Sequence, residues 1–343
     1  MPAAEPTPPV DPTRSDFRTI HLFRPQNQLG DLLLNVPAIR SIRERFPNAR
    51  VVLVVGRQNA AAVLGQRWAD EIRVVDTRNF FGVAGGGIHG LKGPRPDLAV
   101  YFTTVSYSRS AGMLVRWSRA RARVGFDPAT YRERDRAALT RRVGYPGAAR
   151  AAGAGALHQS DVSLLLARAV GAGTRPEPPY YVPDPALRAR APGGAVYIHP
   201  GAGKHENRWP ADRFAAVARA LIGRGLSVWW LEGPQDGGTV EAATQALGMK
   251  LPVVRGESIP MLAARFARAG LYIGNDTGPL HLAGATGCAT VGIYGWTDPA
   301  EWRPVGRCVR SVRAADGKLE SVEPRALLDA ALPLLAEERC AVG

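Results

Sequence analysis

I-G-N-D-T-G-P-L-H-L-A-G-A-T-G, residues 273–287, breaks an apolar strand and opens a helix built from small residues. Asp276 or Thr277 suits the N-cap and Pro279 the first turn, while Ala283, Gly284 and Ala285 let such a helix lie close on a sheet. Similar units precede it. A-V-Y-I-H (195–199) reads as a strand before a helix over 212–221, and S-V-W-W-L (227–231) as a strand before a helix from about Gly238. A helix over 259–269, the strand L-Y-I-G (271–274) and the strand A-T-V-G-I-Y (289–294) follow. The amino-terminal half repeats the alternation, with strands at T-I-H-L-F (19–23), V-V-L-V-V (51–55), 72–75, 97–102 and 123–126. Strands alternating with helices predict an α/β fold with largely parallel sheets.

Gly and Pro crowd the stretch 171–194, which places a linker at 181–194 between a domain over 18–180 and another over 195–322. A leader, 1–17, is rich in proline and expected to be disordered. The segment 323–343 holds a last helix, over about 324–338, expected to pack back on the first domain. F-F-G-V-A-G-G-G-I-H-G (80–90) is glycine-rich but lacks the Lys-Ser/Thr ending of a phosphate-binding P-loop.

At 343 residues, 45% hydrophobic and 22% charged, the chain has room for two buried cores and is not of a disordered or fibrous kind. Lys+Arg 44 against Asp+Glu 30 leaves +14, which favours polyanions, anionic membranes or phosphorylated substrates as partners. An Arg- and Ala-rich composition also follows from a GC-rich genome, so charge narrows the partner and not the reaction. Cys288, Cys308 and Cys340 form no C-x-x-C pair and are too few for a disulfide framework or a cysteine zinc site, which fits a reducing cytoplasm. No signal peptide and no run of about 18 apolar residues is present, so membrane contact is expected to be peripheral.

Three stretches can carry chemistry. In 273–287 the free N–H groups at Thr277 and Gly278, with the positive end of the helix dipole, make an anion site suited to a diphosphate. His281, about a turn inside, either bonds phosphate or is structural. In Y-I-H-P-G-A-G-K-H-E-N-R-W-P (197–210), Gly201 and Gly203 expose backbone N–H groups, and Lys204, His205 and Arg208 bring positive charge; the alternative is an ordinary connection with solvated charges. In Q-N-Q-L-G-D-L-L-L-N-V-P (26–37), Gly30 permits close approach and Asp31 either accepts a proton from an attacking hydroxyl or caps the helix. Pro37 marks a first turn or a kink.

Lesser candidates are Glu232 or Asp236, for ribose hydroxyls or a turn, and Glu257 with Ser258, facing a base or capping a helix. Arg109, Arg116, Arg119, Arg121 and Arg123, then Arg132, Arg134, Arg136, Arg141 and Arg142, form a basic cluster. It suits a phosphorylated or carboxylated acceptor or anionic lipid headgroups, or is a solvated face. Nucleic acid is disfavoured, since no binding motif accompanies the charge.

L-G-D-L-L-L-N-V-P-A-I-R-S-I-R-E-R-F-P-N-A, H-P-G-A-G with R-W-P, N-D-T-G-P-L-H-L-A-G-A-T-G and Y-G-W-T-D-P-A-E-W-R-P, in this order, resemble the glycosyltransferase family 9 heptosyltransferases. The resemblance covers about 20–304 and is loose over 80–155. It implies the GT-B fold, two Rossmann-like α/β domains facing each other across a central cleft. It also implies a metal-independent, inverting transfer of heptose from an ADP-sugar, with no cofactor, onto a lipopolysaccharide core at the cytoplasmic face of the inner membrane. It makes Asp31 the general base, with the amino-terminal domain holding the acceptor; the reading of the residues themselves adds Gly30, Arg109, Arg116 and Arg119 on the acceptor side. It assigns Asp276, Thr277, Gly278 and His281 to the nucleotide sugar, to which the reading of the loops adds Gly201, Lys204, Arg208, Asp236 and Glu257. Family members usually carry a lysine two residues before the tryptophan of R-W-P, where this chain has Asn207; Lys204 or Arg208 is expected to supply that charge. Another nucleotide sugar, another anionic glycan acceptor, or a family fold that binds without turnover are the other readings. A Rossmann dehydrogenase is disfavoured, because G-x-G-x-x-G does not follow the first strand.

Overall fold

The computed structural model describes residues 11, 13, 16–76, 93–104, 106–133, 137–146 and 157–337. The glycine-rich stretch 80–90, Arg134, Arg136, Cys340 and nearly all of the leader lie outside these. The described residues divide into two compact units. One takes the chain up to Pro176 apart from 29–34 and 64–66; the other takes those two short pieces with everything from Glu177 on.

The first unit holds β1 (Thr19–Arg24), β2 (Arg50–Gly56), β3 (Glu71–Val75), β4 (Leu98–Tyr101), β5 (Ala122–Phe126) and β6 (Arg141–Val143) in the order β3-β2-β1-β4-β5-β6. Every pairing is parallel, with Thr19 opposite Arg50 and Ile20 opposite Leu98. Central strands bonded on both sides and covered on both faces must be apolar throughout, and Val51 to Val55 are all buried.

The second unit repeats the plan with β7 (Val196–His199), β8 (Val228–Glu232), β9 (Val253–Arg255), β10 (Leu271–Asn275), β11 (Thr290–Tyr294) and β12 (Val309–Arg313), ordered β12-β11-β10-β7-β8-β9. Counting from its own first strand, β7, this is the same winding as in the first sheet. All its pairings are parallel. In such sheets ligands gather at the carboxyl ends of the strands where the winding reverses, here between β7 and β10 and, in the first sheet, between β1 and β4.

Two expectations about the ends of this unit differ from the structure. Residues 181–194 are not a free linker: Tyr181 is buried, and the helix Pro185–Arg190 packs on the helix Ile259–Phe266. The helix Pro324–Ala336 packs on the helix Ala211–Ile222 and on β10, β11 and β12 of its own unit. Its apolar stripe explains this, because Leu327, Ala331 and Leu334 recur on one helical face and are all buried in the second core. Buried Cys288 is a free thiol pushed up to about 12 by burial. Cys308 is disulfide-bonded, so the cysteines do not carry the expectation of a reducing compartment. Among the described residues no helix is long and apolar enough to cross a membrane.

Candidate functional site

The helix Gly278–Thr286 starts directly beyond β10, at the reversal point of the second sheet. Thr277 holds the N-cap position, but its hydroxyl does not cap: it bonds the Asn275 carbonyl at 3.2 Å. Pro279 sits in the first turn, where its missing N–H costs nothing. First-turn amides therefore go unclaimed by any cap, and the dipole adds partial positive charge there. One turn in, His281 is buried; its Nε2 lies 3.5 Å from Asp276 Oδ1, and its Nδ1 has no hydrogen-bond partner. A buried ring nitrogen without a partner keeps unused hydrogen-bonding capacity one turn from that helix start.

The second unit also includes residues 29–34, and they bear on His281. A methyl group added at Gly30 would stand 2.8 Å from His281 Cδ2, so glycine is what lets the ring lie there. Asp31 is the third residue of the helix Leu29–Arg45, whose N-cap is Gln28, so it does not cap that helix. Pro37 lies in the helix interior, beyond the first turn.

Beneath the anion site runs a buried polar network. His199, the last residue of β7, bonds Asp236 Oδ2 through Nε2 at 2.8 Å, and its Nδ1 meets the Tyr272 hydroxyl at 3.2 Å and Thr277 Oγ1 at 3.5 Å. Asp236 also accepts the Gly233 N–H at 2.5 Å. Burial by itself would raise the pKa of Asp236, but the His199 bond and charge, the Gly233 amide and Arg208 outweigh it and hold the carboxyl below its ordinary value. Gly201 has no room for a side chain, because a Cβ there would overlap the Asp236 carboxylate. Asn275, fully buried, ties the ends of β7 and β10 together: it accepts from the Trp209 amide at 3.1 Å and donates to the carbonyls of Pro200 and Gly201, each at 3.1 Å. Trp209 is a packing residue, with Nε1 on the Val322 carbonyl at 3.0 Å and its ring edge-on to Phe214.

A family model described as glycosyltransferase family 9 (heptosyltransferase) matches residues 165–330. A lipopolysaccharide heptosyltransferase 3 of Escherichia coli is 27% identical over 302 residues, covering 80% of this chain and 83% of the relative. Over that half and along most of its length the chain is similar to family 9 heptosyltransferases. Its fold is that of solved GT-B members. A family 9 glycosyltransferase from Veillonella parvula superposes with TM-score 0.79 at 20% identity, covering 94% of this chain and 99% of that one. The E. coli heptosyltransferase WaaC with ADP gives 0.74 at 18%, covering 91% and 98%.

In the structure the expected donor residues divide by role. Asp276, Thr277, Gly278 and His281 come together at the start of the Gly278 helix, with Gly201 tied to them through Asn275. Asp236 is 3% exposed and spent on His199 and Gly233, so it does not present itself to ribose hydroxyls. Arg208 clamps the loops, donating to the carbonyls of Ala202 at 2.9 Å and Gln235 at 3.1 Å. Lys204 is exposed, 3.9 Å from Glu206. Glu257 is paired with Arg265, with oxygens 2.5 to 2.8 Å from its nitrogens, and Ser258 caps the following helix by accepting from Met261 N. Glu232 is bonded by Arg255.

The acceptor-side arginines are not brought together. Arg109 opens the helix Arg109–Trp117 and pairs with Glu133 at 2.8 Å. Arg116 stands in its last turn, about 10 Å further along the axis, and Arg119 lies just beyond, where its carbonyl accepts from Arg95. A crossover helix between parallel strands runs from the carboxyl edge of the sheet back to the amino edge. Arg109 therefore belongs to the end where β4 finishes, and Arg116 and Arg119 to the end where β5 begins. Residues near one another in sequence were read as one cluster; the helix between them separates its two halves.

His199, Tyr272 and Asn275 were missed. Their partners lie 37 to 78 residues away in the chain, and a histidine or asparagine ending a strand carries no local mark of such a bond. Among the described residues no group of three or more His, Cys, Asp or Glu side chains gathers as a metal-ligand set.

Proposed function

We propose that this glycosyltransferase moves heptose, or a closely related sugar, from an ADP-linked donor to an anionic acceptor of the lipopolysaccharide core, by one inverting displacement without a metal. What supports the donor half is the uncapped start of the Gly278 helix beside the bare Nδ1 of buried His281. Those donors hold the diphosphate, and they stabilise the charge that grows on the leaving phosphate as the glycosidic bond breaks. Asp31 takes the proton from the attacking hydroxyl. A single displacement requires one base and one anion-stabilising site, and no covalent intermediate.

The named relative is a lipopolysaccharide heptosyltransferase, and WaaC was solved with ADP, which supports the choice of sugar and nucleotide. Arg109, at the carboxyl edge of the first sheet, serves the acceptor's negative groups. The exposed Arg116, Arg119 and Arg121, at the other edge, serve contact with an anionic membrane. Calorimetric titration with ADP, UDP, GDP and dTDP tests the donor half. ADP binding tightest is expected; equal affinity for all four would break the nucleotide assignment, and no binding at all would favour a fold retained without turnover.

A further inference from the structure

The strand order gives the donor site a direction. From β10 the sheet continues through β7 to β8 and β9 on one side, and through β11 to β12 on the other. A nucleotide sugar resting its diphosphate on the Gly278 helix lays its nucleoside toward one side and its sugar toward the other. The β8 side offers hydrogen-bond acceptors for ribose hydroxyls, in the Gln235 carboxamide of the turn after β8 and in the Glu232 carboxylate, one oxygen of which is taken by Arg255. The sugar is left the β11 side, where Trp296 stands two residues beyond the strand.

Trp296 is 64% exposed, the most exposed of the large hydrophobic side chains in the described residues, yet it is held in place. Its Nε1–H donates to Asn207 Oδ1 at 3.0 Å, and Asn207 lies in the turn after β7. Strands β7 and β11 flank β10, so this bond joins the loops on either side of the strand that leads to Asp276. An indole kept in water forfeits the burial that its large apolar surface would otherwise gain, and a fixed aromatic face on a site rim is a ready contact for a partly apolar ligand. The identity of residue 207 is part of the device. A lysine ammonium has three donors and no acceptor, so it cannot receive the indole N–H, whereas the asparagine carbonyl can.

We propose that Trp296, anchored by Asn207, is the shelf on which the sugar ring of the donor stacks its C–H face, so that this pair selects the transferred sugar. The inference rests on the donor site proposed above. The test is calorimetry on the full chain with ADP and with ADP-heptose, read as the ratio of the two affinities, for the parent protein, Trp296→Ala, Trp296→Phe and Asn207→Lys. Trp296→Ala is expected to weaken ADP-heptose about tenfold or more and ADP by less than about twofold. Trp296→Phe should keep most of the preference, and Asn207→Lys should lose much of it by freeing the indole. Because Trp296 is exposed, the melting temperature should not move. Unchanged ratios, or equal losses for ADP and ADP-heptose in Trp296→Ala, overturn the shelf while leaving the donor site standing. A parent protein that binds neither ligand overturns the donor site and the shelf with it.

Discussion

At the reversal point of the second sheet, His199, Asp236 and Asn275 are buried and bonded to one another's loops, and glycine at 201 is required by the carboxylate beside it. At the matching point of the first sheet the loop after β1 is pinned more openly. Gln26 donates to the Tyr101 hydroxyl at 3.2 Å, Asn27 accepts from the Gln58 amide at 3.2 Å, and both side chains stay partly exposed. The same winding thus ends in a rigid, dry network in one unit and in a looser polar loop with exposed arginines in the other. A network ordered before the ligand arrives loses nothing by ordering during the reaction, which suits a diphosphate of fixed geometry. The looser end suits an acceptor whose size and charge vary.

The sharpest way to break this contrast is Asp31→Asn. If Asp31, in the helix that follows β1, supplies the base, transfer should fall about 10³-fold, roughly 4 kcal/mol of transition-state stabilisation, while ADP affinity stays within about threefold. Turnover assayed beside calorimetry checks both, and near-normal transfer would remove Asp31 from the chemistry.

Acid should separate the two units next. His21, buried in β1, is lowered to about 4 by burial and by the nearby Arg73 charge. Below its ordinary 6.5 the unfolded chain takes a proton that the folded unit refuses, so stability falls as pH drops from 6.5 to 4, by about 3 kcal/mol in all. Asp236 acts in the opposite sense: held below its ordinary 3.8, it favours the folded second unit above that value and loses hold only at lower pH. Hydrogen exchange followed unit by unit should show the first loosening at mild acidity, and His21→Leu should flatten that slope. Simultaneous loosening would undo the distinction.

Asp236→Ala comes third. It strips the acceptor from His199 Nε2–H and from the Gly233 amide, both in dry surroundings, and should cost about 2 kcal/mol in a denaturant titration. ADP affinity should fall as well, since Thr277 loses its support through His199. The smallest effect is expected from the basic residues: Arg109→Ala should raise the acceptor KM about threefold, in keeping with an exposed ion pair, while Arg116→Ala with Arg119→Ala leaves KM unchanged for a soluble acceptor. Equal effects at the two ends of that helix would contradict their separation.

The central strands were legible because burial on both faces demands unbroken apolar runs, as in V-V-L-V-V and S-V-W-W-L. β6, β9 and β12 were not. Each lies at an edge of its sheet and reads R-R-V, V-V-R or V-R-S-V-R, with charge that guards a strand paired on one side only. The helix start at Gly278 was readable from proline, glycine and small residues, since those choices are local. The role of Asp236 was not, because its meaning depends on His199, and no spacing rule connects a strand end to a turn 37 residues later.

The Trp209 amide gives its hydrogen to a side chain, Asn275 Oδ1, from 66 residues along the chain. Main-chain protons in a helix or sheet are released when a neighbour frays, but this one is released only when the R-W-P segment lifts away from the end of β10. Its solvent exchange rate is therefore a clock for the breathing of the proposed donor site, legible in the empty protein with no sugar, acceptor or assay of turnover.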